Sequence, residues 1–412
     1  MLQSFSILAG AMLVAAGACA GGPPSMPHYD VTATLNTARG SLSADVTITM
    51  PWPEVQGEIA FLLGDSYSIA SAETGPGAAV EVVPTREPFP GLQKISVRPN
   101  GAPGATLRLR IRYTGLLWAL PGELPINRVT PDAIELGLDS MWLPVRTGFP
   151  KFTVSADIGG VPAGLVAVAP GTIKRTGGHI LIRRETDDPD LAFVAIRGLK
   201  RQSSGGFELY SSDGSPDAAS VYRRQGAAAM KFLEAWFGRM PGRPARVVLV
   251  HRARNSGYAR SGYVVIVEGG AVEQKDSGKY IAHEFAHAWW APVDPTTENR
   301  WLSESIAEYV ALRYIENAFG VGARDEILDR KRPLAAKAGP ILGRGLLDDA
   351  ELYNKGPLLL FELEAKVGRS SMDKVLAQLA RHPPSVSSEF FQTLAAVAGE
   401  AAAQDFEAAM KR

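Results

Sequence analysis

Two histidines and a glutamate in one short stretch could together carry out metal-assisted hydrolysis. The stretch runs His283-Glu284-Phe285-Ala286-His287. On an α-helix, residues four apart lie on one face, so both imidazoles can reach the same metal ion. Glu284 projects near that face and can hold a water molecule beside the metal. The spacing H-E-x-x-H predicts a Zn²⁺ site with Glu284 as general base.

A bare H-E-x-x-H also occurs by chance, as a helix with two ordinary histidines. A catalytic zinc ion needs a third protein ligand and one open position. A second predicted helix, Trp301 to Tyr309, offers Glu304 in its first turn. Further on, Tyr353-Asn354-Lys355-Gly356 opens an apolar helix. Three motifs in order make a chance match a poor explanation.

This set resembles the gluzincins and, among them, the M1 aminopeptidase family, whose motifs run H-E-x-x-H, W-L-N-E and Y-x-K-G. The resemblance implies that His283, His287 and Glu304 bind one Zn²⁺ and that Tyr353 is catalytic. Ser303 stands where the family usually has Asn. The sixteen residues between His287 and Glu304 are fewer than in the family, a deletion that the intervening loop can absorb.

The family mechanism assigns further roles. Glu284 would take a proton from water and pass it to the leaving amine. Tyr353 would donate a hydrogen bond to the oxyanion. Glu308, one helical turn after Glu304, would orient a ligand histidine, or else it is an exposed helix glutamate. The tryptophans Trp289 and Trp290 are expected to pack in the core.

The substrate-binding side departs from the family. M1 aminopeptidases carry a G-x-M-E-N strand whose glutamate binds the substrate's free amino group, and no clear match occurs here. The stretch Gly257 to Ser261 is the better counterpart in element order, placing Arg260 or Tyr258 at that position. An arginine there favours a carboxylate or carbonyl over an ammonium, unless Arg260 is a solvated loop charge. Glu273 is closer in letters but is better explained as a loop residue near the zinc helix.

The elements that would position these residues indicate an α+β fold. Residues 28–200 show alternating apolar and polar positions between Gly/Pro turns, which predicts an antiparallel β-sandwich or saddle domain with Trp142 in its core. Residues 201–412 combine strands with helices and predict a thermolysin-like catalytic domain. After Tyr353 we expect helices over Pro357–Val367, Ser371–Arg381 and Glu389–Ala398.

Residues 1–19 are expected to be a signal peptide, and residues 20–27 a short tether. The apolar run Ile7 to Ala18 is too short to span a bilayer. Cys19, the one cysteine in the chain, occupies the position of an acylated lipoprotein cysteine, or else it is incidental in a soluble secreted protein. The chain therefore has no internal disulfide. We expect an exported protein that is either periplasmic or a membrane-anchored lipoprotein, and in the second case the lipid on Cys19 would be its membrane contact.

Composition excludes some partners and leaves function open among three classes. Acidic and basic residues balance at 43 each, and no basic run indicates nucleic-acid binding. The first hypothesis is a zinc peptidase acting on peptide substrates. The second is a zinc hydrolase of a non-peptide amide or ester, and the third a non-catalytic peptide-binding module. The oligomeric state does not follow from the sequence.

Overall fold

The computed structural model describes residues 26–52, 57–99, 106–212, 216–243, 245–252, 256–268, 273–290 and 293–412. The predicted signal peptide, including Cys19, and most of the predicted tether lie outside these residues. None of the described helices has the length and apolar character that crossing a membrane would require.

The first half of the chain is built from β-strands. In chain order they are β1 (His28–Asn36), β2 (Ser41–Pro51), β3 (Ile59–Gly64), β4 (Tyr67–Thr74), β5 (Ala78–Thr85), β6 (Leu92–Pro99), β7 (Thr106–Leu116), β8 (Arg128–Val129), β9 (Ala133–Leu136), β10 (Val145–Arg146), β11 (Phe152–Gly159), β12 (Leu165–Val168), β13 (Thr172–Thr176), β14 (His179–Asp188) and β15 (Phe193–Arg197). Side chains alternate between the core and solvent, as in β1, where Tyr29, Val31, Ala33 and Leu35 are buried.

These strands form three sheets. The largest has the order β13-β14-β11-β1-β2-β7-β4, and two four-stranded sheets have the orders β10-β3-β6-β5 and β12-β15-β9-β8. Neighbouring strands are antiparallel except for β1 and β11, which pair in parallel with Tyr29 opposite Val154. Trp142 is buried in the core between the sheets, as predicted.

A five-stranded mixed sheet and a helical region follow. The strands and the first helix are β16 (Lys200–Ser204), β17 (Phe207–Ser211), α1 (Pro216–Phe237), β18 (Ala245–Val250), β19 (Tyr258–Arg260) and β20 (Tyr263–Val267). The sheet order is β16-β17-β18-β20-β19, so among the described strands β19 lies at the edge and pairs only with β20. The sheets change next to the predicted boundary at residue 200, and the division into domains remains a prediction.

The remaining described elements are mostly helical. They are α2 (Gln274–Ala286), α3 (Trp301–Phe319), α4 (Val321–Ala335), a π-helix (Ala350–Lys355), α5 (Gly356–Val367), α6 (Arg369–Leu379), α7 (Ser387–Ala398) and α8 (Glu400–Met410). Helix α8 was not predicted, although Ala403, Phe406 and Met410 have the three- and four-residue spacing of a buried helix face. It packs through Ala403, Phe406 and Met410. Trp289 and Trp290 are buried in the same core, as predicted.

The arrangement confirms the predicted α+β fold, with β-sheets first and a mixed sheet with helices second. Helix α2 packs against both α1 and α3. Helix α3 is buried along most of its length, which explains its apolar residues on all sides. The two helices that carry the predicted metal ligands are therefore central to the core, where their side chains have little freedom to move.

Candidate metal centre and catalytic cleft

The predicted metal ligands converge in the structure. His283 lies in the last turn of α2, and His287 follows that helix with helical backbone angles. Glu304 comes from the first turn of α3. Its Oε2 lies 3.5 Å from Nε2 of His283 and 3.7 Å from Nε2 of His287. One nitrogen or oxygen atom from each residue falls within 4.8 Å of the others.

This donor set fits a zinc ion. Ligand atoms held about 2.1 Å from a tetrahedral zinc are roughly 3.4 Å apart, close to the separations between Glu304 and the two histidines. Two imidazoles and one carboxylate are a common ligand set for catalytic zinc. Residues His283, His287 and Glu304 would hold the ion and leave one position open.

The other nitrogen of each imidazole is occupied, which directs Nε2 towards the centre. Nδ1 of His283 lies 3.2 Å from Oε2 of Glu308. Nδ1 of His287 lies 3.2 Å from the Trp290 carbonyl oxygen and 3.3 Å from the Ser303 hydroxyl. Such contacts fix the tautomer and orientation of metal-binding histidines. Ser303 therefore contacts a ligand histidine at the position where the resembled family usually has Asn.

Glu308 is a buried member of the site. Its side chain is 2 % exposed and forms ion pairs with Lys279 at 2.8 Å and Lys331 at 2.6 Å. The explanation of Glu308 as an exposed helix glutamate is wrong, because α4 and α2 cover it. Although burial opposes ionisation, the two lysines hold the pKa of Glu308 well below its usual range. An ionised Glu308 is a strong acceptor for the His283 imidazole.

The pKa values of the ligands reflect burial and mutual contact. Burial disfavours a charged His283, but contacts with Glu304 and Glu308 outweigh it and raise its pKa to about 9. Burial lowers the pKa of His287 to about 4. Burial would raise the pKa of Glu304, yet the two histidines hold it below its usual range. The site thus keeps the His287 imidazole neutral and the Glu304 carboxylate ionised, which are the forms that bind metal.

Glu284 projects into the cleft beside the metal ligands. It is buried, and burial raises its pKa to about 7, with His283 opposing and Glu304 reinforcing the shift. Gly257 lies against it: a Cβ atom at Gly257 would stand 2.7 Å from Oε1 of Glu284 and 2.6 Å from the Tyr280 hydroxyl. Only glycine fits there without displacing one of these groups. Sequence analysis gave no signal for this role of Gly257.

Tyr353 reaches the centre from the π-helix. Its hydroxyl donates a hydrogen bond of 2.9 Å to Oε2 of Glu304, and its ring centroid is 5.8 Å from that of His283. The Ser305 hydroxyl fixes the π-helix by donating to the Leu352 carbonyl at 2.7 Å. Burial, followed by the charge of Glu304, raises the pKa of Tyr353 far above its usual value, so its hydroxyl stays protonated and able to donate.

The three predicted substrate-binding residues have different environments. Tyr258 and Arg260 line the cleft pocket. Arg260 is not a solvated loop charge, since its side chain is 10 % exposed and Nε donates to Asp190 at 2.9 Å. The partner that Arg260 was predicted to find in a substrate is thus supplied within the protein. Glu273 is exposed just before α2 and is not among the pocket residues, in agreement with a loop role.

A second buried ion pair supports the wall that carries Gly257. Arg252 lies 3.1 Å from Glu135 of β9, with side chains 3 % and 0 % exposed. Arg252 also donates to the Ser256 carbonyl at 2.7 Å. The side chain of Tyr258 packs between Arg252 and Arg260, with its ring centroid 5.9 and 5.0 Å from the two guanidinium carbons. Contacts from the N-terminal sheets therefore fix the strand that faces Glu284.

Sequence analysis missed two charged residues of the cleft, Asp139 and Arg300. Both line the pocket of about 220 Å³ that contains the metal ligands. Asp139 comes from the N-terminal β region and is exposed to the cleft, although protein on its other sides raises its pKa by burial. Arg300 directly precedes α3. The four-residue spacing between Arg300 and Glu304 would have placed Arg300 beside the metal ligands. Asp139 lies far from those ligands in the sequence, which therefore gave no signal for its place in the cleft.

Comparison with known proteins identifies the fold. The chain superposes on an M1 zinc metallopeptidase from Deinococcus radiodurans with a TM-score of 0.73 and 23 % identity, covering 94 % of each chain. A variant of that enzyme bound to a Tyr-Ser-Ala substrate matches at 22 % identity, with the same TM-score and coverage. Yeast LTA4 hydrolase matches with a TM-score of 0.75 and 15 % identity, over 94 % of this chain and 68 % of that one.

No protein-family model matches the sequence, and no curated protein matches it. At these identities the structural likeness establishes the fold. The chain thus has the fold of M1 zinc metallopeptidases, and its function is argued from the cleft itself.

Proposed function

We propose that this protein is a zinc-dependent peptidase of the M1-like type. The observation that carries the proposal is the meeting of three metal-binding atoms with a buried glutamate and a protonated tyrosine in one cleft. These groups come from His283, His287, Glu304, Glu284 and Tyr353. The relatives with this fold are zinc metallopeptidases, which supports the same chemistry here.

The residues of the cleft divide the reaction among them. A bound Zn²⁺ would supply Lewis acidity, both for a water molecule and for the substrate carbonyl. Glu284, with its pKa near neutrality, takes a proton from water and delivers it to the leaving amine. Tyr353 donates its hydroxyl hydrogen to the oxygen of the tetrahedral intermediate. Gly257 leaves room for Glu284 to move between these partners.

The specificity we propose includes peptides with a free amino group. Asp139 lines the cleft, and the cation that acts on it most strongly, Arg260, is already paired with Asp190. A carboxylate in this position attracts an ammonium group. It would serve where the glutamate of the G-x-M-E-N strand is missing. A peptide with a free N-terminus should therefore be cleaved faster than its N-acetylated form, and equal rates would contradict this role of Asp139.

A peptide-library digest tests the peptidase function. The zinc-loaded protein is incubated with the library, the Glu284→Gln variant serves as control, and mass spectrometry identifies the products. Cleavage above the control supports the proposal, and its position along the peptides gives the direction of attack. Absence of cleavage would contradict it and favour a non-peptide amide or ester, or a binding module.

The remaining predictions concern location. We propose that the protein is exported, on the basis of residues 1–19, with Cys19 as a candidate lipid attachment site. Mass spectrometry of the mature N-terminus tests this. A diacylglyceryl group on Cys19 would support both export and lipid attachment. A mature protein that starts after Ala18 or Ala20 without lipid would contradict the lipid attachment only, and an unprocessed N-terminus would contradict export.

A further inference from the structure

Among the described residues, Arg252, Arg260 and Arg300 border the cleft or its wall, and the first two are neutralised within the protein. Arg252 pairs with Glu135, and Arg260 pairs with Asp190. Arg300 differs, because none of the described residues lies within hydrogen-bond or ion-pair distance of its guanidinium group. The positive charge of Arg300 is therefore available to a molecule that enters the cleft.

The position of Arg300 relates it to the reacting groups. Arg300 ends a short 3₁₀ helix, Glu298–Arg300, and has helical backbone angles that continue into α3. It precedes Glu304 by four residues, so the two side chains share one helix face. Ser303 and Glu304 line the same pocket as Arg300. A group bound by Arg300 would thus lie on the metal side of the cleft.

The charges of the cleft leave a place for an anion. A divalent ion would offset Glu284 and Glu304, Asp190 offsets Arg260, and Asp139 is the carboxylate that we assign to the substrate's ammonium group. Arg300 then remains as a partly buried cation without a counter-charge. A guanidinium group in such surroundings binds carboxylates strongly, often through two parallel hydrogen bonds. Resting on the proposed peptidase function, we propose that Arg300 is a specificity residue that binds a carboxylate group of the substrate.

An apolar pocket next to Arg300 indicates which carboxylate. This side pocket, of about 330 Å³, is lined by Arg300, by the apolar side chains of Phe89, Trp118, Leu124 and Phe149, and by the acidic residues Glu123 and Asp139. Phe149 has a left-handed backbone with a φ of 49°, a conformation that is costly for this residue type and is found at functional sites. A short peptide that ends in a large apolar residue would place its side chain here and its C-terminal carboxylate on Arg300.

Binding measurements on an inactive enzyme test the proposal without turnover. Zinc-loaded Glu284→Gln protein is titrated with short peptides of one sequence by calorimetry. One pair differs in a C-terminal acid or amide, and a second pair differs in an internal Glu or Gln. We expect the amide to bind about 10- to 100-fold more weakly than the acid, as for loss of a charge-assisted hydrogen bond. A preference confined to the second pair would make a side-chain carboxylate the ligand.

Substitution of Arg300 gives the second arm. Adding Arg300→Gln to the Glu284→Gln protein should abolish the preference for the acid, while zinc content stays unchanged. In the active enzyme, Arg300→Gln should raise KM for the acid peptide with little change in kcat. Arg332→Gln is the matched control, since that exposed arginine of α4 pairs only with Asp329 in the described structure and lies outside the cleft. Arg332→Gln should leave the preference for the acid peptide and the KM for that peptide unchanged.

Two results would overturn the proposal. Equal affinities for acid and amide, in both peptide pairs, would show that the unaltered protein does not recognise a carboxylate. A preference that survives Arg300→Gln would assign it to another residue. Failure of the peptidase function is distinct, since it would leave the binding preference intact while wild-type protein cleaved no peptide.

Discussion

The two sides of the catalytic cleft are built in different ways. On the metal side, four residues lie on two adjacent helices or directly after one of them, within 26 consecutive residues: His283, His287, Glu304 and Glu308. On the opposite side, the pair Arg252–Glu135 joins residues 117 positions apart, and Arg260–Asp190 joins residues 70 apart. The metal side thus depends on local helix geometry, while the substrate side depends on how the N-terminal sheets pack against β19.

This difference teaches that identical residue types can have opposite functions in one cleft. Arg260 and Arg300 both line the pocket. The charge of Arg260 is neutralised by Asp190 of the N-terminal region, and this ion pair stabilises the cleft wall. Arg300 has no such partner among the described residues. The packing of distant segments, not the residue type, decides which arginine is available to substrate.

The largest effect is expected from removing the general base on the metal side of the cleft. Glu284→Gln should lower kcat by about 10²- to 10⁴-fold, the usual contribution of a general base. Zinc content should be retained, because Glu284 is not among the converging donor atoms. Steady-state kinetics and metal analysis by mass spectrometry measure both. Turnover close to that of the wild type would refute the assignment of Glu284 as base.

The next largest effect is expected from removing one partner of the buried ion pair on the opposite side of the cleft. Glu135→Ala should lower the free energy of unfolding by about 3–5 kcal/mol, because it leaves Arg252 buried and without its partner. Denaturant unfolding measures this loss. Asp329→Ala is the matched control, since it removes a partner from an exposed pair with Arg332 and should change stability by less than about 0.5 kcal/mol. A similar loss in both variants would mean that the buried pair has no special role.

A smaller effect tests whether Glu308 acts through the metal ligand. Glu308→Gln should weaken zinc binding by about 10- to 100-fold, as for other residues that orient a ligand histidine. Competition with a chromogenic chelator gives the dissociation constant. The substitution also removes the charge that pairs with Lys279 and Lys331, so unfolding is measured beside it. Unchanged zinc affinity in a destabilised variant would leave Glu308 a purely structural role.

The smallest effect lies where the two sides touch. Gly257→Ala should lower kcat by about tenfold, because the added methyl group would press on Glu284 and Tyr280, and small displacements of catalytic groups are costly. Zinc content and stability should change little. Gly322→Ala on α4, where a Cβ meets nothing within 4 Å, is the control. Equal kcat for wild type and Gly257→Ala would show that the Glu284 carboxylate has room to relax.

The sequence predicted the metal side well because helix periodicity is local. The four-residue spacing of His283 and His287 determines their common face wherever the helix lies in the fold. Glu308 followed from the same periodicity one turn beyond Glu304. Asp139 and the partner of Arg260 could not be predicted, because β-sheet packing brings them to the cleft from distant positions.

The π-helix that carries Tyr353 makes the site sensitive to length as well as to composition. A π turn contains one residue more than an α turn, and single π turns often occur at functional sites. Deleting Glu351, the residue between Ala350 and Leu352, would remove the extra residue of the π turn and change the position of Tyr353 relative to the elements that precede it. The hydroxyl would then leave Glu304. A related chain that keeps every motif residue would therefore still be inactive if it lost one residue in this segment.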